Sequence, residues 1–388
     1  MKRYLYISLL ILLVASCTKK EDNTPKPIPE NPTVEAGKSF IVSPNVGGVN
    51  QPNQVYVDLS TGKTTVVRRD SWDLAFYCGD DFRVILNPSL AMSAKPTEYT
   101  DITKFVAPDS EILFSDDPKL PSRKEIAKRM IDDPRGILQP QQDYPGTGTA
   151  IEGIAANTNE NKVYLLNMGN EISTIVPEKG GVNLQGAHRG WMKILISRSG
   201  NDYKVQYAKN DAIKATEIKT VTIAKAPAYN FVFLSLTSGK TLQVQPAKKD
   251  WDLCFTPSTG WFSTDKEKIK SGFNSATYFP DMVLTNLHGG TKATIFSAKD
   301  KSEKKRDEDY AAYTKEKALK IDFTAERYTK QTVIGRNWRD NQGGALVRKE
   351  LFFLVKDGDN NYFKLKFLTM KNDKGERGYP SFEYELLK

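Results

Sequence analysis

Leu59-Ser60-Thr61-Gly62-Lys63, followed by Trp72-Asp73-Leu74-Ala75-Phe76, occurs a second time as Leu236-Thr237-Ser238-Gly239-Lys240, followed by Trp251-Asp252-Leu253-Cys254-Phe255. The turn recurs at a shift of 177 and the tryptophan at a shift of 179, so two loop residues account for the difference. The halves also end alike. Ser199-Gly200-Asn201-Asp202 precedes Tyr203-Lys204-Val205-Gln206-Tyr207, and Asp357-Gly358-Asp359-Asn360 precedes Phe363-Lys364-Leu365-Lys366-Phe367. Both are hairpins, because Gly and Asn supply the positive φ angles that tight turns demand. Likeness at several ordered points is the mark of an internal duplication, with its boundary near Ala226-Pro227-Ala228.

Working outward, the local pattern is β. Phe363, Leu365 and Phe367 alternate with Lys364 and Lys366, and Phe382, Tyr384 and Leu386 alternate with acids. Period-two patterning puts one face on a core and the other in water, as in antiparallel sheets. The expectation is therefore an all-β chain with a minor helix, in two tandem domains, 39–226 and 227–388. The helix is expected where Ser122-Arg123-Lys124-Glu125 forms a capping box with Ile126 and Met130 on the face behind it. Asp133-Pro134-Arg135-Gly136 stops it. Trp72 and Trp251, placed identically in both copies, read as core residues.

Residues 1–17 read as a processing signal. Lys2 and Arg3 give a positive start, and Tyr4 to Val14 is an apolar run of 11 residues broken only by Ser8. Crossing a bilayer takes roughly 20. Val14-Ala15-Ser16-Cys17 then resembles the lipobox of bacterial lipoproteins, which makes Cys17 the expected lipidated mature N-terminus. An acyl chain adds about 0.8 kcal/mol per buried methylene, so several chains hold the protein to a membrane effectively permanently. Residues 18–38 read as a tether: the alternating prolines of Thr24 to Pro32, in polar company, make a stiff extended segment with nothing to bury. Lys20-Glu21-Asp22 resembles the short charged signal by which Bacteroidetes lipoproteins reach the outer face of the outer membrane.

The remaining chain is long enough for about two domains, each with a sizeable core. Its 39% hydrophobic and 27% charged residues are those of an ordinary globular protein, so disorder and multiple membrane spans are excluded as the dominant class. The formal charge of +9 falls to +7 when Lys2 and Arg3 leave. Basic residues are interspersed with acids, as in Lys301 to Asp309, which reads as a solvated surface and not a nucleic-acid footprint. Cys78 and Cys254, far apart, make neither a disulfide framework nor a zinc site and read as buried free thiols. An enzyme is not expected. The chain holds two histidines, and it has no nucleophile elbow, no phosphate-cradling Gly loop and no cluster at metal-ligand spacing.

The two copies resemble the HmuY family, haem-binding surface lipoproteins of Bacteroidetes. The residues that carry the likeness are Leu59 to Lys63, Trp72-Asp73-Leu74 and Arg83-Val84-Ile85-Leu86-Asn87. In the second copy they are Leu351-Phe352-Phe353-Leu354, Asp357 to Asn360, Lys364 to Phe367 and Phe382-Glu383-Tyr384. The resemblance covers most of the chain after the tether, once per copy. It implies antiparallel β-sandwich-type domains and binding of haem or a related tetrapyrrole for iron acquisition. It also implies a cell-surface, outer-membrane location and hand-over to a TonB-dependent outer-membrane receptor. Better-known members hold the iron between two loop histidines, and some relatives use methionines. Here the family's second ligand position falls near Lys179 in the first copy and near Trp338 in the second, so neither copy carries the bis-histidine pattern.

Haem binding needs a ligand with a lone pair, an apolar slot and often a cation near the propionates. His188 has Arg189 beside it and Trp191 two residues on, a candidate ligand, cation and wall. His288, between Leu287 and two glycines, and Met92, in a loop after Leu86-Asn87, are the other candidates. Met130, Met168 and Met192 offer the same soft sulfur, although methionine is commonly core filler. The loops from Asn87 to Val163 and from Asn286 to Arg348 differ between the copies, and function concentrates in such loops. A second reading stays open, that of a non-haem surface module or scaffold for a glycan or partner protein.

Overall fold

A computed structural model describes residues 33–107, 130–141, 147–262, 275–340 and 346–388. The signal, the lipidation candidate Cys17 and nearly all of the expected helix at 122–130 lie outside the described residues. The first repeat contributes β1 (Ser39–Val42), β2 (Asn53–Val57), β3 (Thr64–Arg68), β4 (Leu74–Tyr77), β5 (Val84–Leu86) and β6 (Ser93–Pro96). It continues with β7 (Val163–Asn167), β8 (Asn170–Ile172), β9 (Gln185–His188), β10 (Trp191–Ser199), β11 (Asp202–Lys209) and β12 (Lys219–Ile223). The second supplies β13 (Phe231–Leu234), β14 (Thr241–Leu242), β15 (Leu253–Phe262), β16 (Ser275–Thr285) and β17 (Lys292–Ser297). Helices α1 (Glu303–Ala311) and α2 (Lys315–Ala318) follow, then β18 (Arg339–Asp340), β19 (Leu346–Val347), β20 (Leu351–Lys356), β21 (Tyr362–Lys371) and β22 (Arg377–Leu386).

Four antiparallel sheets stack into two sandwiches. One outer sheet runs β12-β11-β10-β7-β6 and the other β1-β22-β21-β20-β17. The inner sheets mix the repeats. One runs β14-β13-β4-β5 and the other β16-β15-β2-β3. Each repeat thus places its first hairpin in the other repeat's sandwich. The registers match across the exchange: Phe233 lies opposite Ala75, and Tyr56 lies opposite Cys254. Repeats 39–226 and 227–388 are units of sequence, and each sandwich takes strands from both.

Alternation within the inner strands builds the layers. Leu74 and Phe76 face the first sandwich's core with Leu234, while Ala75 and Phe233 face the opposite way. Val55, Val57, Leu253 and Phe255 fill the second core with Phe353, Phe363 and Leu365. Between the two inner sheets lies a third cluster, with Tyr56, Trp72, Phe231, Phe233, Trp251 and Cys254. Both faces of these strands are buried, which is why Val55-Tyr56-Val57 and Phe231-Val232-Phe233-Leu234 read as apolar runs without alternation. The two tryptophans are core residues of this seam. Trp72 meets Phe233 edge-on at 4.9 Å, and Trp251 meets Tyr56 at 5.1 Å.

The outer face of the second sandwich differs from a solvated sheet. The Ser302 side chain caps α1 by accepting from the Lys305 N–H, and α1 lies over β20. Lys364, expected in water, is 4% exposed and donates to the Tyr310 carbonyl at 3.1 Å. Part of the mixed-charge stretch Lys301 to Asp309 is therefore a helix with a buried face at Arg306 and Tyr310.

Candidate functional site

β8 and β9 pair as a two-stranded ribbon that ends at His188, and Gly190 takes a φ of +87° to turn the chain into β10. A residue with a side chain is strained there. The turn uses the imidazole. Gly190 N–H donates to His188 Nδ1 at 3.1 Å, and His188 Nε2 meets Asn167 Oδ1 at 2.8 Å. Nδ1 thus accepts, which assigns the proton to Nε2. The ring is exposed and lies 5.2 Å from that of Trp191.

Arg189 has a structural partner. Its guanidinium donates to Asp73 Oδ1 at 2.7 Å, to the Met168 carbonyl at 3.0 Å and to Thr237 Oγ1 at 3.3 Å. Only 12% of this side chain is exposed. It ties the ribbon to the Trp-Asp segment and to the exchanged turn of the second repeat. Met92 is 1% exposed in the first sandwich's core, in the cluster that holds Leu90, Ala94 and Leu166.

His288 stands elsewhere, at the seam between the inner sheets. Its ring lies 5.4 Å from Tyr77 and 5.5 Å from Phe231, in a cavity of about 80 Å³. Burial pushes its pKa down to about 4, against a backbone hydrogen bond at Gly136 that pulls it up, so the ring is neutral. Ligand pockets for drug-sized molecules run to roughly 300–1,000 Å³, and this cavity is well below that. Lys179 is exposed on the loop between β8 and β9. Trp338 stacks on Phe367 at 4.4 Å and donates from Nε1 to the Asp281 carbonyl at 2.9 Å, a core role.

Among the described residues, a ligand-sized cleft of about 640 Å³ opens beside β10 and β11. It is lined by Trp191, Met192, Tyr207, Lys209 and Lys219, by the acids Asp211 and Glu217, and by the exchanged Thr237; Met192 and Lys209 lie opposite each other across β10 and β11. Lys209 and Lys219 are exposed cations, and Lys219 Nζ lies 5.9 Å from the Tyr207 ring centre. Arg189 lines the cleft, and His188 borders it through Trp191. The structure therefore brings His188, Arg189 and Trp191 together and leaves His288 and Met92 apart from them. Tyr207, Lys209 and Lys219 had no sequence signal, because nothing in an alternating strand marks which residues wall a cleft. Among the described residues, no group of three or more His, Cys, Asp or Glu gathers in a way that could hold a metal ion.

These features define a duplicated, all-β protein of exchanged sandwiches with an open cleft of aromatic and mixed-charge lining. The HmuY protein family matches residues 50–226 and again residues 227–384, and the chain belongs to that family. No curated protein matches it. Among solved structures, the apo HmuY analogue of Tannerella forsythia aligns at 10% identity and a TM-score of 0.21, over 92% of this chain and 100% of that one. Apo PinO from Porphyromonas gingivitis aligns at 9% and 0.21, over 90% and 98%. A candidate HmuY-like heme binding protein from Bacteroides vulgatus aligns at 9% and 0.19, over 89% and 91%.

Proposed function

We propose that the chain is a non-catalytic surface lipoprotein that binds haem or a related tetrapyrrole for iron acquisition. It is anchored in the outer membrane by lipid on Cys17 and passes its cargo to a TonB-dependent receptor. The observation that carries this reading is the family match of both repeats, joined to a ligand-sized cleft with an exposed imidazole at its border. Trp191 offers the macrocycle an aromatic contact and Met192 an apolar one, and Lys209 and Lys219, which share the cleft with Asp211 and Glu217, are the cations available to its propionates. The fit to iron is partial. For His188 Nε2 to present a lone pair, the ring must give up its bonds to Asn167 and Gly190, each worth about 0.5–1.5 kcal/mol. Arg189 is held by Asp73, so the lysines are the better cations. At most one histidine reaches this cleft, which favours mono-histidine or histidine–methionine ligation over bis-histidine ligation.

A haemin titration of residues 23–388, with absorbance in both redox states, tests the proposal. A saturable one-site Soret shift, weakened in His188→Ala, supports it. If the shift survives that change, Met192 becomes the ligand to replace. A spectrum that stays that of free haemin sinks haem capture and leaves a glycan or a protein partner as the reading. The anchor has its own test: a Cys17→Ala protein that stayed acylated and membrane-bound would rule out lipidation at that residue.

A further inference from the structure

The seam between the inner sheets is related across the duplication, but its two ends are filled differently. After the buried caps Asn87 and Asn286, Ser89 and His288 stand at matching positions in short 3₁₀ turns. At the Ser89 end, the buried Arg69 guanidinium donates to the Ser89, Leu184 and Gln51 carbonyls and to the Tyr278 hydroxyl. Its counterpart in the second repeat, 179 positions on, is Lys248, which is exposed. Among the described residues no guanidinium lines the His288 end, and the cavity of about 80 Å³ lies there.

The same asymmetry leaves hydrogen-bonding groups unmet. Trp72 Nε1 donates to Gln54 Oε1 at 2.8 Å. The residue matching Gln54 in the second repeat is Phe231, which has no acceptor, and Trp251 Nε1 has no hydrogen-bond partner among the described residues. Thr285 Oγ1 and Gln245 Oε1 also lack one. All three residues line this cavity. Trp251 is 6% exposed and Thr285 2%. Buried polar groups are nearly always paired, by protein or by something bound. A donor, a hydroxyl and an acceptor, lining one cavity and unpaired among the described residues, outline a ligand with the opposite pattern.

The lining also sets the ligand's charge. Asp133 is ion-paired with Arg135 at 2.7 Å. Both Asp132 oxygens already accept backbone N–H groups, from Leu86 and Ala150. An anion would meet two carboxyls, and a cation would find no uncommitted counter-charge. We propose that this cavity is a binding site for a small neutral molecule carrying an amide or hydroxyl group, held by Trp251, Thr285 and Gln245. The amide carbonyl accepts from the indole N–H and the threonine hydroxyl, and the amide N–H donates to Gln245. Phe231 and Leu138 supply the apolar walls. The site is independent of haem, for which it is too small.

The probe is acetamide, read through the indole N–H signals of the full chain after the tether, labelled at tryptophan. Comparison with Trp251→Phe assigns the Trp251 signal. The expected result is a saturable shift of that signal alone, with a dissociation constant on the order of 1 mM for so small a ligand. Acetate, of the same shape but charged, gives no such shift. Thr285→Val weakens acetamide binding about 3–10-fold, the effect of one hydrogen bond, and the four other indole signals report whether the variant is folded. If Thr285→Val misfolds, Gln245→Leu serves in its place. No shift at Trp251, an equal shift with acetate, or unchanged affinity in a folded variant overturns the proposal.

Discussion

The Asp252 carboxyl group accepts the backbone N–H of Leu59 at 2.9 Å, although 193 positions of sequence separate them. The first repeat mirrors this, for Asp73 accepts the N–H of Leu236 at 2.7 Å. In each case the aspartate of the Trp-Asp-Leu segment fastens the turn of the other repeat's hairpin. A buried N–H at that point costs stability unless it is met. The repeated motif is thus the clamp of the exchange, and the tryptophan before it packs the seam. The clamps differ in their second oxygen: Asp73 is paired with Arg189, and Asp252 accepts from the Thr291 hydroxyl at 3.0 Å.

That difference predicts unequal costs. Asp252→Ala loses two neutral hydrogen bonds and is expected to destabilise the fold by about 1–3 kcal/mol. Asp73→Ala also strands the nearly buried Arg189 guanidinium, at about 3–5 kcal/mol. Urea unfolding of the two variants checks the order. Equal losses would mean that the ion pair adds nothing to the clamp.

Stability should also fall toward alkaline pH. Burial pushes the Asp252 carboxyl up to about 8 and the Asp132 carboxyl up to about 7. Both then hold a proton in the folded state that the unfolded chain releases near pH 4. Their contribution is fully present below pH 4 and is lost as pH rises through 7 and 8. His288 has the opposite sign. With a folded pKa of about 4, its contribution is present above about pH 6.5 and is lost as pH falls through 4. Between about pH 6.5 and 8 His288 no longer changes and the carboxyls do, so the urea midpoint should drop across that window. The thiols of Cys78 and Cys254, also pushed up by burial, add in the same direction above about pH 8. Asp252→Asn should flatten the drop, and a variant with the same slope as the parent would refute this origin.

Neither repeat completes its own sandwich as the chain is arranged. Val55, Val57 and Leu59 are fully buried in the second core, and Leu234 and Leu236 are buried in the first. Each is worth about 1.5–3 kcal/mol of burial, against a typical net stability of about 5–15 kcal/mol. Residues 39–226 and 227–388, made separately, should be weakly folded or self-associated and should combine one-to-one on mixing. Size-exclusion chromatography with light scattering reads this. Two stable monomers that ignore each other would show that exchange is dispensable.

The exchange itself was not legible in the sequence, and the reason is physical. A hairpin that returned to its own repeat would set Tyr56 opposite Ala75, and the exchanged one sets it opposite Cys254, with the same faces buried either way. Repeats, turns and alternation are local and could be read directly. The cover on the second outer sheet was missed because α1 buries only a narrow stripe, Arg306 and Tyr310, within a run of charges. Of the candidate site, the neighbourhood of His188, Arg189 and Trp191 was legible from adjacency. Their commitments were not, because Asp73 and Asn167 reach them from distant strands.

A methionine of the first core and a tryptophan lining the cleft separate a packing role from a binding one. Met92 lies wholly inside the first core, so Met92→Ala should cost about 2–5 kcal/mol, while Met92→Leu, close to volume-conserving, should cost less than about 1.5 kcal/mol. Neither change should alter haemin affinity per folded molecule. Trp191 is only half-buried and walls the cleft beside His188. Trp191→Ala should therefore leave the urea midpoint nearly unchanged and weaken haemin binding at least several-fold, since an aromatic contact contributes about 0.5–1.5 kcal/mol beyond its buried area. Full affinity in Trp191→Ala would move the binding site away from β10, and a loss in Met92→Leu would place it within reach of the core.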